Sequence, residues 1–571
     1  MIKNNVESTQ IEENFFHSVK KVIFFFKSEL ATERKRLLLF FLLTITVSII
    51  DILCPYLTQQ LIDIAIPQKN IYLVGLYSLE IIVSLLFAYR IYLVVVKSAI
   101  IVTEKAVYAK SRRLIGQILS KDPIFFDHYN SADIITRFAN DLFRIGEFFL
   151  DYVLFNFIYL TITIAFIIWM FYLNWMLATL CCIFFSIYFL VSALKYKFIV
   201  RNVRIAQNKN SERNDLIQDI LDGESEIRVY QQESTFQERF NKKGLEYCNA
   251  QIRAVWSRDS VWATLDRFSR IMNVLPIIIG AIFICYHAAG ATVGVLVAFS
   301  QVMVYCSRYI TSLAYSSIRS LSVVPSIDRI DEILDAYPKI ELPPVRIEQT
   351  PDSGAIEFRD VAFTYPSGKK IFSCLNLVIN PGEKVAIMAP SGFGKTTFAR
   401  LLLGLIKPDS GIILFGGKDI CSFPPHFFYT FFSYASQNSH IFRLSVRDNI
   451  EMGWFISDDL IFTSLLENLH ISDFINALPD KADTVLNVEG LSLSKGQQQR
   501  ISLARALIRV PQVLIADEFT SGLDSVTEEQ ILDDLFSIMK NQTIICITHS
   551  SHVASRMDRT IMLDVTQIEH S

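Results

Sequence analysis

Val385-Ala386-Ile387-Met388-Ala389-Pro390-Ser391-Gly392-Phe393-Gly394-Lys395-Thr396-Thr397 is the stretch on which the reading of this chain turns. Four apolar residues suited to a buried strand enter a glycine-containing loop, and Thr397 to Leu405 then reads as a helix. In that setting glycines let backbone N–H groups converge on phosphate oxygens, and a helix N-terminus adds favourable partial charge. Lys395 has the reach for β- and γ-phosphates, and the Thr396 hydroxyl is suited to Mg2+. Ser391, Gly392, Phe393, Gly394 and Thr397 complete the expected phosphate cradle. Ala389 stands where the usual pattern has its first glycine, and alanine tolerates positive φ poorly.

Further along, the continuous apolar run Val513-Leu514-Ile515-Ala516 suits a buried strand and ends at Asp517 and Glu518. An Asp there can hold Mg2+ through water, and the following carboxylate can orient or deprotonate an attacking water. Ile356-Glu357-Phe358 and Thr543–Ile547 read as further strands, so the region after residue 353 is expected to be α/β. Pro338, Pro343, Pro344 and Pro351 mark a linker over 336–353.

Working back from the linker, the composition changes. The chain has 571 residues, 51% hydrophobic and 19% charged, too many for one core of ~250–300 residues. Long uncharged runs crowd residues 37–315 and give six candidate membrane spans, at 37–62, 71–97, 147–171, 174–195, 268–286 and 291–315. The connectors at 67–70, near Asn174 and at 286–292 are short and carry little charge. The N-terminal 36 residues and the stretches 98–146 and 196–267 carry many Lys and Arg, which places them, and both termini, on the cytoplasmic side. Trp169, Tyr172 and Trp175 fit an aromatic belt at the outer interface. The polar start is not a signal peptide and is too short for a protease domain. A formal net charge of −3 argues against a nucleic-acid partner. The nine cysteines show no CxxC or zinc spacing and read as small buried hydrophobes.

Beside these readings, the second half resembles the ATP-binding cassette family. Leu493-Ser494-Lys495-Gly496-Gln497 is similar to its LSGGQ signature, Phe519-Thr520-Ser521-Gly522-Leu523-Asp524 to its D-loop, His549 to its switch histidine and Gln437 to its Q-loop glutamine, and Tyr365 sits where the family stacks an aromatic ring on adenine. The resemblance implies two such domains facing head to tail around two ATP molecules, with Ser494, Gly496 and Gln497 of one closing on Lys395 of the other. It implies Glu518, His549 and Gln437 in catalysis, Thr396, Gln437 and Asp517 toward Mg2+, and a helical subdomain around the signature. Lys495 in place of a glycine and Glu489, shifted from the usual TEVGERG-like pattern, are departures.

The first half resembles the six-helix, type IV exporter fold. The expected architecture is therefore an all-α six-helix transmembrane domain (37–335) after a cytosolic segment (1–36), then the linker and a cytosolic P-loop ATPase domain (354–571). Pro123–Asp127 with Ile134–Asp141 looks like a first coupling region, Asp219–Glu233 like the segment after the second, and Arg329–Leu334 like the junction with the ATPase. The implied function is ATP-driven export of an amphipathic substrate from a bacterial inner membrane by a homodimer. The alternatives are a heterodimeric exporter subunit and an ATP-gated channel. Asp51, Glu80, Arg90 and Arg308 are charges inside the spans and candidates for the substrate path, with Arg90 a possible partner of Asp51 or Glu80.

Overall fold

Leu38, Leu42, Ile45, Ile49 and Leu53 recur every three or four residues along the first apolar run, and all five are exposed. Phe40, Thr44, Val47 and Ser48 on the other face are buried. A helix apolar all round is one that meets lipid on one side and protein on the other. Its buried hydroxyls are satisfied within the helix: Thr44 donates to the Phe40 carbonyl at 2.8 Å and Ser48 to the Thr44 carbonyl at 2.9 Å. Internal satisfaction of this kind is what a bilayer demands of every polar group.

The computed structural model describes residues 15–129, 131–286, 292–319, 323–335, 354–390, 393–437, 440–453, 459–486, 493–520 and 525–563. The chain divides into two units, Met1–Ser120 with Tyr129–Tyr337, and Lys121–His128 with Pro338–Ser571. Its helices in order are α1 (Phe15–Phe25), α2 (Lys27–Thr32), α3 (Arg34–Ala65), α4 (Ile71–Leu119), α5 (Pro123–His128), α6 (Ser131–Leu173), α7 (Trp175–Asp222), α8 (Glu224–Val229), α9 (Glu233–Cys285), α10 (Val293–Arg319) and α11 (Val323–Asp335). Among the described residues α3, α4, α6, α9 and α10 contain segments long and apolar enough to cross a membrane, and α7 opens on the apolar stretch Trp175–Ile187.

The helices outrun the spans read from sequence. The 49 residues of α4 extend about 74 Å, against ~30 Å of hydrocarbon. The connectors expected at 98–146 and 196–267 are thus largely continuations of α4, α6, α7 and α9. Apolar composition reports where hydrocarbon ends; helical hydrogen bonding does not stop there. The turns between spans are tight and capped. Asn70 accepts the Tyr72 and Leu73 amides at 3.1 and 3.2 Å, and Asn174 accepts the Leu177 amide at 3.0 Å. Asp63 takes the Thr292 hydroxyl at 2.6 Å and the Gly294 amide at 2.8 Å, tying the end of α3 to the start of α10. Trp169 stacks on Tyr172 with centroids 5.0 Å apart. All nine cysteines are free; Cys181, Cys306 and Cys546 are buried, whereas Cys248, Cys285 and Cys374 are exposed, against the expectation that all are buried.

A polar clamp fixes α11. Asp141, in a π-helical turn of α6, is buried and accepts Nε of Arg329 at 2.8 Å, the Arg329 Nη2 group, and the Ser326 hydroxyl at 2.9 Å. Arg137 donates to the Arg329 carbonyl at 2.5 Å and to Glu332 at 3.2 Å.

The second unit holds two sheets. One, ordered β2-β1-β4-β5, is antiparallel: β1 (Ile356–Thr364), β2 (Lys370–Ile379), β4 (Ser410–Phe415) and β5 (Lys418–Asp419). The other is parallel and ordered β6-β7-β8-β3-β9, from β3 (Lys384–Met388), β6 (Phe432–Ala435), β7 (Val513–Asp517), β8 (Thr543–Ile547) and β9 (Arg559–Met562). β7 and β8 are buried along their whole length, as helix-covered parallel strands must be. Two helices matter for the site, α12 (Lys395–Leu402) after β3 and α13 (Lys495–Leu507) before β7.

Removing Arg329 strands the buried Asp141 carboxylate. Arg329→Ala is expected to cost on the order of 2 kcal/mol, at the low end for a broken buried pair because the guanidinium is half exposed. Asp141→Asn, which keeps an acceptor, costs less. Thermal unfolding of the detergent-solubilised protein separates the two.

Candidate active site

In a parallel sheet the strands all end on one edge, and ligands bind outside that edge. Here β3 ends into the glycine loop and Lys395, β6 leads to Gln437, β7 ends at Asp517 and Glu518, and β8 leads to His549. The edge is knitted by backbone bonds: Glu518 N–H to the Ile547 carbonyl at 2.8 Å, and Thr548 N–H to the Ile387 carbonyl at 3.1 Å.

Three residues separated widely in sequence meet on the carboxylate of Glu518. Lys395 Nζ lies 2.8 Å from Glu518 Oε1. His549 Nδ1 is 3.3 Å from the same oxygen, and the Gln437 amide donates to Oε2. Glu518 also takes a positive φ of 46°, a conformation a side-chain-bearing residue holds only where its surroundings impose it. Burial pushes its pKa up, but the bonds from Lys395 and His549 outweigh that and hold it below the ordinary value. Asp517 moves the opposite way: burial raises it, and the Tyr434 hydroxyl, donating to Oδ2 at 3.1 Å, only partly offsets this.

The phosphate loop is described on both flanks, while Ser391 and Gly392 lie outside the described residues. Gly394, with φ of 87°, opens α12. A Cβ there would stand 2.5 Å from Ile371 Cγ2 and 3.1 Å from Phe372 Cζ. Ala389 is buried and has no positive φ, so the methyl is accommodated without strain. Phe393 is half-buried against the core of β1, β2 and β3. Thr397 is buried, and its hydroxyl shares a hydrogen bond with Tyr365 at 3.1 Å. Thr396 is exposed and has no hydrogen-bond partner among the described residues. Hard oxygen donors suit Mg2+, and the Thr396 hydroxyl and the Asp517 oxygen not taken by Tyr434 are such donors. The described residues contain no ready-made cluster of three His, Cys, Asp or Glu ligands, so a Mg2+ ion held by these donors would need phosphate oxygens and water as well.

Ser494 caps α13. Its hydroxyl accepts the Gln497 amide at 3.2 Å, and the Gln497 side chain accepts the Ser494 amide at 2.9 Å. This capping box leaves Ser494 exposed at a helix N-terminus with its first amides outward. Lys495 points into solvent, and Gly496 is half-buried beside it. Ser494, Gly496 and Gln497 share no hydrogen bond or ion pair with the Glu518 cluster, so one copy of the chain leaves them separate. Glu489 and Ser521–Asp524 lie outside the described residues.

The intramembrane charges do not assemble as expected. Asp51 is half-buried, Glu80, Arg90 and Arg308 are exposed, and Arg90 forms no ion pair with Asp51 or Glu80. Ala88 faces the bundle on α4, and two residues further is about 200° round the helix, which turns Arg90 outward. Asp51 and Arg308 instead both lie within electrostatic reach of Tyr305 and Tyr309. Those rings stack on Phe166 and Tyr159 at 5.6 and 5.5 Å. Tyr434 was not singled out from sequence; its position at the end of β6, three residues before Gln437, is the signal that points to it.

Gly394→Ala is expected to strain the backbone by about 1–2 kcal/mol and to displace Ile371. Binding of a fluorescent ATP analogue to the full chain should weaken at least tenfold, while Ala389→Gly should leave it within twofold.

Residues 37–310 match the family model for the ABC transporter transmembrane region, and residues 372–521 match the model for the ABC transporter. An uncharacterized ABC transporter ATP-binding protein of Bacillus subtilis is 27% identical over 93% of this chain and 88% of its own length. An ATP-dependent lipid A-core flippase of Desulfotalea psychrophila is 26% identical over 89% of this chain and 88% of its own. The solved structure of a bacterial Atm1-family ABC exporter with ATP bound shares the fold, with a TM-score of 0.76 at 21% identity over 94% of each chain. With membrane and ATP-binding regions on one polypeptide, in that order, the protein belongs to the ATP-binding cassette transporter family as an exporter-type half-transporter.

Proposed function

We propose that the protein is an ATP-driven exporter of an amphipathic substrate, working as a homodimer by alternating access. The observation that carries the hydrolytic part of this reading is the meeting of Lys395, Gln437 and His549 on Glu518. A general base must be held within hydrogen-bond reach of the proton it takes, directly or through one water. Lys395 is held by Glu518 until phosphate oxygens take its place; the exchange gives the lysine a stronger anion and releases the carboxylate. Glu518 then accepts a proton from a water oriented by Gln437, and His549, exposed at the rim, contacts the γ-phosphate. Thr396, Asp517 and Gln437 are the residues that would hold Mg2+, which when bound neutralises phosphate charge. Ser494, with Gly496 and Gln497, presents the start of α13 to nucleotide held by a second copy, where the helix dipole favours the γ-phosphate.

The two long Lys- and Arg-bearing stretches put the ATP-binding unit and both termini in the cytoplasm, and the membrane is read as a bacterial inner membrane. The amphipathic cargo class rests on the membrane bundle and on kinship with a protein named as a lipid A-core flippase. Asp51 and Arg308, beside Tyr305 and Tyr309, are the charges retained for the substrate path. Glu80 and Arg90 face outward in the single chain and are retained only as sites a second copy would cover.

The test is ATPase and transport by the full chain in lipid vesicles. Lys395→Ala should abolish nucleotide use. Glu518→Gln should bind ATP with near-normal affinity while turnover falls by roughly 100-fold or more. Normal turnover in Glu518→Gln would sink the assigned base. Cross-linking of Ser494→Cys with a cysteine placed near the phosphate loop, seen only within homodimers, checks the head-to-tail arrangement.

A further inference from the structure

Six basic and two acidic side chains lie between Phe15 and Arg36, just ahead of the first membrane span, and they are sorted by face. Ser18, Val22, Phe25 and Phe26 are buried, so α1 turns one stripe onto the bundle. Backbone bonds continue across the break between α1 and α2. Phe26 N–H donates to the Val22 carbonyl at 3.1 Å and Leu30 N–H to the Phe26 carbonyl at 2.9 Å, so the helical phase carries through. The opposite stripe is Lys20, Ile23, Phe24 and Lys27, all exposed, Phe24 by 73%. A lysine stands at each end of an apolar pair, and Lys27 Nζ lies 5.8 Å from the Phe24 ring centroid.

The start of α3 continues the pattern. Its lipid-facing stripe runs back from Leu53 to Leu38, and three and four residues earlier stand Lys35 and Arg34, both exposed. Long basic side chains at such a position lay their stems along apolar surface and carry their charge toward the headgroups. The remaining charges are engaged within the protein. Lys21 pairs with Asp328 of α11 at 2.6 Å, and Arg36 with Glu33 at 2.8 Å. Glu33 also takes Lys105 at 3.3 Å, and the buried Glu29 takes Arg113 at 3.6 Å. Lys20, Lys27, Arg34 and Lys35 have no ion pair among the described residues, and neither acid of the segment is left to face them. A general basic excess on the cytoplasmic side does not explain why partnered and unpartnered cations separate by face.

We infer that Lys20, Lys27, Arg34 and Lys35 form a docking surface for the phosphates of acidic phospholipids in the cytoplasmic leaflet, with Ile23 and Phe24 seated between the headgroups. Charge complementarity names the occupant. Four unneutralised cations flank an apolar wedge beside a helix that crosses the bilayer, and each Lys or Arg near an anionic surface strengthens attachment about fivefold. The surface depends on α3 crossing the membrane and not on what the chain transports.

The experiment follows hydrogen exchange in residues 15–36 of the full chain, in nanodiscs of phosphatidylcholine with and without a minority of phosphatidylglycerol. Phosphatidylglycerol should slow exchange there by about fivefold or more at low salt, and the slowing should vanish at high salt. The variant Lys20→Gln/Lys27→Gln/Arg34→Gln/Lys35→Gln should exchange alike in both lipids. Lys21→Gln/Arg36→Gln, which removes as much charge per site from the engaged set, should keep the wild-type ratio between the two lipids. Lys20→Arg/Lys27→Arg/Lys35→Arg keeps the charge and should keep the ratio as well, so the wild-type salt series and this variant decide the matter even if the glutamine variant fails to fold. Equal exchange of the wild type in both lipids overturns the inference. So does an equal loss of the ratio in Lys21→Gln/Arg36→Gln, which would make the effect one of overall charge. Slowing by inorganic phosphate in pure phosphatidylcholine would assign the face to a solute. Slowing there when discs hold two copies in place of one would assign it to a second copy, and either result overturns the lipid assignment.

Discussion

The ion pair between Lys395 and Glu518 is the interaction on which the ATP-binding unit is organised. Both groups are largely shielded from solvent, and each would be unfavourable there without the other. The parallel sheet makes the pair possible. Lys395 follows β3 and Glu518 follows β7, two strands separated by β8, so a single edge gathers residues 123 positions apart. Gln437 and His549 join because β6 and β8 end on the same edge. The backbone strain at Glu518 belongs to the same arrangement, since the turn after β7 aims the carboxylate at the loop after β3.

The membrane unit obeys a different constraint. Its helices must satisfy their backbones internally and show apolar surface on two sides, so specificity falls to the few polar contacts that remain. Asp63 holding the start of α10 and Asp141 holding α11 are contacts of that kind. Each joins segments far apart in the chain through one carboxylate that takes several donors. Such carboxylates look like unwanted charge in a hydropathy reading, and their value appears only when the donors are in place.

The residues that gather at the edge of the parallel sheet were legible because each motif is local. A glycine loop before a helix, an acidic pair after an apolar run, and Ser494 three residues before Gln497 are short-range patterns with their own physical reasons. The intramembrane charges were not legible in the same way. Whether Arg90 meets Asp51 depends on helix rotation, and the burial of Ala88 set that rotation. Asp127 was equally opaque. The resemblance of Pro123–Asp127 to a coupling region points to the ATP-binding unit, with which α5 groups, but nothing in the sequence marks Arg400, 273 positions away, as the partner of Asp127.

By itself the sequence determined the kinds of element and which motifs stand at their ends, because hydrophobic period and short motifs act over a few residues. It determined a membrane half and a nucleotide half for the same reason. The tertiary structure alone decided which side chains share a carboxylate and which face of each membrane helix is turned inward. Those outcomes follow from strand order and helix rotation, which bring together groups hundreds of residues apart and have no local signature. Ser494 and Lys395 share no contact within the fold of one chain, so the proposed sandwich between them would need a second ATP-binding unit.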